Sequence, residues 1–309
     1  MDPDRPNIDL IKTGMRVQYK GVEARFLSNN EIQGLISSLS GPSDLNISVM
    51  AKWRLFRTIG ELYLKRCTSY SIRKSIFLST IGRCGTHWLK KLLEEILIFD
   101  VELAEYDYQP EGFSYSKYIE AIYSKEDSSP GNFIYTGHVP LSMLNPLVNK
   151  VNIIFMVRDL RDVIVSAVFF NNRSKNLSQE EISYKITEFI ENRVHQPDVV
   201  SAYLEFHDKV PHLLVKYEDM INSPETVLRA ILKHYGYYAE YLDGAIKKAV
   251  TNNSFKVLSD GRNPGQENTK HHFRKGVIGD WRNYFTKDHV ELFNKKYDSI
   301  MRVCGYKDF

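Results

Sequence analysis

Short apolar runs that alternate with stretches of helical period constrain this chain more than any other feature. Residues 75–80, 133–136, 151–157 and 213–217 are each brief and nearly continuous in apolar side chains, as strands buried on both faces must be. Helical periodicity follows them at 86–98, 160–170, 179–192, 224–235 and 286–301. Such alternation predicts an α/β fold with a central, mainly parallel β-sheet flanked by helices. The boundaries are clearest around 224–235, where Ser223 is placed to cap, Pro224 takes the first helical position and Gly236 closes the end. By composition 124–132 (SKEDSSPGN) and 259–272 (SDGRNPGQENTKHH) are surface loops. A loop as long as the second is usually functional or disordered.

At 309 residues and 43% hydrophobic composition, the chain can bury the core of one large domain. We assign 75–309 to that domain. Residues 1–74 do not join the alternation and form an N-terminal extension, expected to be helical and packed on the core. Within it Val49, Trp53, Phe56, Ile59 and Tyr63 fall at helical spacing with basic residues between them, which suits a packed helix or one lying on a membrane surface.

The chemistry gathers where predicted strands end. After the first comes IGRCGTHW, residues 81–88. A strand, a glycine turn and a helix aim backbone N–H groups at an anion, and Arg83, Thr86 and His87 add further donors. This reads as a phosphate cradle or as a tight turn. It is not a Walker A motif, because no Lys-Ser/Thr pair follows Gly85. The third strand ends in Arg158, with Ser166 two helical turns on. Both could serve one oxyanion, or Arg158 could pair with Asp159 or Asp162. Near the C-terminus FRKGVIGDW sets Arg274 and Lys275 before Gly276, a phosphate grip or a solvated basic turn.

The formal net charge is only +3, so charge gives no case for a nucleic-acid partner, and the local clusters must carry any anionic ligand. Cys67, Cys84 and Cys304 are an odd set without zinc-type spacing, which predicts neither a disulfide framework nor a metal site and suits a reducing compartment. No apolar stretch is long enough to span a bilayer, and the first residues lack a signal core. A cytoplasmic location is expected.

Taken together, the glycine turn, the Arg-x7-Ser and RKGxxGDW resemble the PAPS-dependent sulfotransferase family, over about residues 75–300. The resemblance implies a P-loop-kinase-like sulfotransferase fold and a cofactor, 3′-phosphoadenosine 5′-phosphosulfate (PAPS), with adenosine 3′,5′-bisphosphate (PAP) as product and no metal. It places Arg83, Cys84, Gly85, Thr86 and His87 on the phosphosulfate and Trp88 against the adenine. It gives the 3′-phosphate to Arg158, Ser166, Arg274, Lys275 and Gly276, and sets Tyr217 and Phe255 at the base. YTGHVP, residues 135–140, is similar to the family's KTHLP, so His138 becomes the catalytic base. Arg83 joins it as a catalytic residue, because cations lower the barrier where charge spreads during sulfuryl transfer. A neutral histidine suits removal of the acceptor's proton.

Several positions depart from that pattern. Arg83 replaces a lysine and is a poor proton donor to a leaving phosphate. Cys84 replaces a serine, and at a helix start beside a guanidinium its thiol is expected to have a lowered pKa and to react. Thr136 stands in the place of a lysine, a loss for which His87 could compensate, and Asn253 in the place of a threonine. Arg282 and Lys287 depart from the family's dimer motif, which leaves monomer or homodimer open. His271 and His272 read as loop residues rather than metal ligands.

For the acceptor, residues 100–118 interleave Glu102, Glu105, Asp107 and Glu111 with Tyr106, Tyr108, Phe113 and Tyr115. Acidic groups among aromatic faces suit a cationic small molecule, such as an amine- or guanidine-bearing specialised metabolite. Glu105, Tyr106, Tyr108 and Phe113 are the candidate contacts; a solvated acidic loop is the plainer alternative. Two rival functions stand beside sulfuryl transfer. One is a non-catalytic nucleotide-binding protein of the same fold, the other an enzyme with Cys84 as nucleophile.

Overall fold

The computed structural model describes residues 16–19, 22–25, 74–97, 114–128, 133–192, 197–236 and 242–306. The chain divides into two units, Met1–Ser71 and Ile72–Phe309. In the first, β1 (Arg16–Tyr19) and β2 (Val22–Arg25) pair as an antiparallel hairpin. The helix expected around 48–66 lies outside the described residues.

The second unit is built on β3 (Ser75–Thr80), β4 (Ile134–Gly137), β5 (Val151–Val157) and β6 (Leu213–Lys216). Their order is β4-β3-β5-β6, and every pairing is parallel. Each parallel neighbour requires a crossover, and helices supply it. Between β3 and β4 lie α1 (Thr86–Ile96) and α2 (Tyr115–Ser128), between β4 and β5 a 3-10 helix (Leu141–Leu147), and between β5 and β6 α3 (Leu160–Asn171), α4 (Gln179–Asn192) and α5 (Pro197–Phe206). After β6 follow α6 (Tyr217–Asn222), α7 (Pro224–His234), α8 (Asp243–Asn252), α9 (Phe255–Leu258) and α10 (Lys287–Val303). No described helix is long and apolar enough to cross a membrane.

All of β3 is buried, as its apolar run requires. Its serines are satisfied by distant parts of the chain, since Ser79 Oγ donates to the Val139 carbonyl (2.8 Å) and Ser75 Oγ to Glu126 (2.6 Å). The same Glu126 oxygen accepts from Tyr135 (2.6 Å). Glu126 lies on α2, which corrects the reading of 124–132 as loop from its start. Tyr118, Ile119 and Ile122 bury one face of α2 and carry the helix through its polar end, to Ser128.

Two further boundaries move. β6 stops at Lys216, and Tyr217 opens α6 instead of ending the strand. The helix from Lys287 runs to Val303, with a capping box between Thr286 and His289 at its start. Strands β3, β4 and β5 and the turn into α6 then deliver Thr80, His138, Arg158 and Tyr217 to one edge of the sheet. Open α/β sheets bind ligands at that carboxyl edge.

Candidate active site

A cavity of about 520 Å³ opens at this edge. Arg83, Gly85, Thr86, His87, Trp88, His138, Arg158, Ser166, Tyr217, Phe255, Arg274, Lys275 and Gly276 all line it. The turn after β3 is conformationally committed. Arg83 has φ 68 and Gly85 φ 92, both in the left-handed region that only glycine adopts freely. For Arg83 that conformation costs about 1–2 kcal/mol. It bends the chain so that α1 begins at the cavity wall, where Gly85, Thr86, His87 and Trp88 line the space and a helix start suits an anion.

Arg83 Nε donates to Ser166 Oγ (3.3 Å), its Nη2 reaches the His272 carbonyl (3.4 Å), and its guanidinium lies 4.1 Å from the Phe170 ring centroid. The turn and α3 therefore meet around one cation. Arg158 Nη1 donates to the Arg83 carbonyl (3.5 Å) and Nη2 to the Val277 carbonyl (3.2 Å). Its guanidinium stacks 4.4 Å from the Tyr217 ring and sits 3.5 Å from Asp162. Of the two ion-pair partners the sequence offered, Asp162 is the one used; Asp159 pairs with Arg161 at 2.7 Å. Arg158 Nε is buried without a hydrogen-bond partner among the described residues. A cation left short of acceptors on a cavity wall fits an incoming anion.

Asp162 also accepts from the Gly279 (2.7 Å) and Trp281 (2.9 Å) amides. It thereby ties the C-terminal basic segment to α3. Within that segment Asp280 receives Lys275 Nζ (2.6 Å), Asn283 Nδ2 (2.9 Å) and Arg274 Nη2. Glu267 takes the other arm of Arg274. At Gly276, with φ 66, a Cβ would overlap the Phe255 ring, so the glycine lets that ring approach the backbone closely. Trp88 is anchored by its indole N–H on the Asn253 carbonyl (2.9 Å) and meets Tyr217 edge-on at 6.2 Å.

His138 follows β4 directly. Its Nδ1 lies 2.9 Å from the Thr80 carbonyl and 3.1 Å from Thr80 Oγ1, which is 2.7 Å from Thr86 Oγ1. A carbonyl only accepts, so in the neutral ring Nδ1 carries the hydrogen and Nε2 the lone pair. Two more imidazoles open onto the cavity, His87 and His272, whose rings meet edge-on at 5.4 Å. Partial desolvation, then Arg83 and His87, pull His272 down to about 4. Desolvation, then Lys90 and Arg83, lower His87 as well. Both rings are neutral near pH 7.

The expected reactive thiol is not there. Cys84 is wholly buried, with Sγ 3.9 Å from the Gly82 carbonyl, and it is not among the residues lining the cavity. Burial pushes its pKa far upward and outweighs the nearby Arg158. A helix start beside a guanidinium predicts a thiolate, but the side chain turns into the core, and a Cys84 nucleophile has no access to a ligand. The acceptor candidates Glu105, Tyr106, Tyr108 and Phe113 lie outside the described residues. Neither composition nor motif marks Thr80, Glu267 or Arg262 in the sequence, where Asp162 is only a possible partner of Arg158 and Asp280 a letter of RKGxxGDW. The spacing of Asp162 four residues after Arg158 was the one signal for its part.

Comparison with known proteins gives a consistent picture. The family model described as sulfotransferase domain matches residues 73–305. A flavonol sulfotransferase-like protein of Flaveria bidentis is 28% identical over 289 residues, covering 83% of this chain and 92% of its own. A 3-beta-hydroxysteroid sulfotransferase of Cavia porcellus is 26% identical over 245 residues, covering 74% and 83%. Among solved structures, a mouse sulfotransferase complexed with PAP superposes with TM-score 0.54 at 22% identity, over 94% of this chain and 98% of that one. Retinol dehydratase in a complex with retinol and PAP gives 0.50 at 18% identity, over 80% and 88%.

Proposed function

Because the chain belongs to the sulfotransferase family, we propose that it moves the sulfuryl group of PAPS to a hydroxyl or amine of a small-molecule acceptor, with His138 as base. The observation that carries this reading is the tie between His138 Nδ1 and the Thr80 carbonyl (2.9 Å), on the wall of the cavity that also gathers Arg83, Arg158, Arg274 and Lys275.

These residues fit the nucleotide. Four cations and the start of α1 suit its phosphate groups. Trp88, Tyr217 and Phe255 suit an adenine, and Gly276 lets the Phe255 ring pack against the backbone there. PAPS supplies the sulfuryl group, with a phosphate as leaving group. Arg83 and the α1 amides stabilise negative charge at that point, and Arg83 stays protonated throughout. Arg158, Ser166, Arg274, Lys275 and the Gly276 amide hold the 3′-phosphate. His138, oriented through Nδ1, takes the acceptor's proton at Nε2.

The acceptor is read from residues 100–118, whose acidic and aromatic side chains suit a cation. The two relatives named for a flavonol and a hydroxysteroid support a hydroxyl as the attacking group. The location is cytoplasmic in this reading.

The test supplies PAPS with hydroxyl- and amine-bearing molecules, cationic and neutral, and measures release of PAP. Turnover is expected, and His138→Ala should lower it by about 10²–10⁴-fold while PAP still binds. Parent-like turnover in His138→Ala removes the base assignment. PAP binding with no turnover of any acceptor favours a non-catalytic nucleotide-binding protein.

A further inference from the structure

We propose that Arg262, which does not line the cavity, is a positioning residue for the nucleotide, holding Arg274 and Lys275 in place through their main chain. The inference rests on the PAPS reading above. Arg262 Nε donates to the Ser259 carbonyl (3.1 Å), Nη1 to those of Gln266 (2.9 Å) and Arg274 (2.7 Å), and Nη2 to that of Phe273 (2.6 Å). All four acceptors are main-chain carbonyls, drawn from both ends and the middle of the segment 259–274. A planar fork of five N–H donors can serve them together.

The bonds around Arg262 act in the same sense. The Asn268 amide shares the Arg274 carbonyl (2.9 Å), the Gly265 amide takes that of Lys275 (2.8 Å), and Ser259 Oγ closes on the Arg262 carbonyl (3.2 Å). The peptide planes that set where Arg274 and Lys275 project, and where the Gly276 amide points, are thus fixed from the loop side. Arg262 also lies 5.5 Å from the Phe255 ring, the ring that packs on Gly276. One guanidinium joins the loop, the adenine-side aromatic and the basic segment. Without it the loop must be ordered at the moment of binding, which lowers apparent affinity by the fraction of molecules already competent. Lysine is no substitute, because one ammonium on a single stem cannot reach four carbonyls spread over the fork.

The experiment titrates PAP into the full-length parent, Arg262→Ala and Arg262→Lys, each checked for folding by circular dichroism. Both variants should bind PAP at least about tenfold more weakly. KM for PAPS should rise while kcat at saturating PAPS and KM for the acceptor stay within about threefold of the parent. Guanidinium chloride at about 20 mM should restore part of the PAP affinity of Arg262→Ala beyond the effect of equal sodium chloride, because it resupplies the planar donor. A merely structural role would not produce that rescue. PAP affinity within about twofold of the parent in the folded variants, or no difference between the two salts, overturns the proposal. If Arg262→Ala does not fold, Arg262→Lys carries the test on its affinity and KM. A folded parent that fails to bind PAP defeats the nucleotide reading itself, and this inference with it.

Discussion

His138 Nδ1 and the carbonyl of Thr80 lie 2.9 Å apart, so the last residue of β3 sets the tautomer of the imidazole that follows β4. The parallel pairing of the two strands brings the groups together although 58 positions separate them. The bond leaves the proton-accepting lone pair on Nε2.

Thr80→Val keeps that carbonyl and removes Oγ1, the atom linked to both His138 and Thr86. Loss of a neutral hydrogen bond of about 1 kcal/mol should lower kcat about fivefold. PAP affinity should stay near the parent's. Steady-state kinetics beside a PAP titration checks both, and an equal fall in the two would place Thr80 in nucleotide binding instead.

Gly276→Ala puts a Cβ into the Phe255 ring at a left-handed φ of 66. A strained backbone costs about 1–3 kcal/mol, and the displaced ring should weaken PAP binding as well. Gly244→Ala is the contrast, because Gly244 lies in α8 with nothing near its missing Cβ. It should leave the melting temperature unchanged or slightly raised. Thermal denaturation with and without PAP distinguishes the two substitutions.

Cys84 should resist alkylation in the folded protein. Its pKa is pushed far up by burial from an ordinary 9.0, and Cys304 is pushed up to about 12. Raised thiol pKa values mean that the folded state keeps its protons where the unfolded state releases them. Their contribution to stability is therefore complete below pH 9 and declines as pH rises above it. Iodoacetamide labelling at pH 8, read by mass spectrometry of the Cys84 peptide, should succeed only in denaturant. Rapid labelling of the native protein would restore the exposed thiolate.

The sheet was legible because burial on both faces writes itself as continuous apolar runs; β3 and β5 begin and end where those runs do. The site's cations and glycines were legible at strand ends, where turn residues carry chemistry that packing does not require. α2 is not among the helices the periodicity predicts, and at its polar end Ser-Lys-Glu-Asp-Ser resembles a loop unless Glu126 is known to meet Ser75 and Tyr135. Long-range bonds have no local signature. Asp162 reaches Gly279 and Trp281 across 117 and 119 positions, and Arg262 closes a loop that composition marks only as polar. Cys84 shows the same limit in reverse, since its neighbours in sequence suggested a thiolate and its neighbours in space keep it a thiol.

The most direct test of the central claim is calorimetric titration of the full-length protein with PAP, alongside Arg274→Ala. The parent should bind at micromolar Kd, about −8 kcal/mol. Arg274→Ala should lose about tenfold or more, the worth of a charge-assisted contact. No heat of binding from a folded parent would contradict the account, because the cavity would then not be a PAPS site.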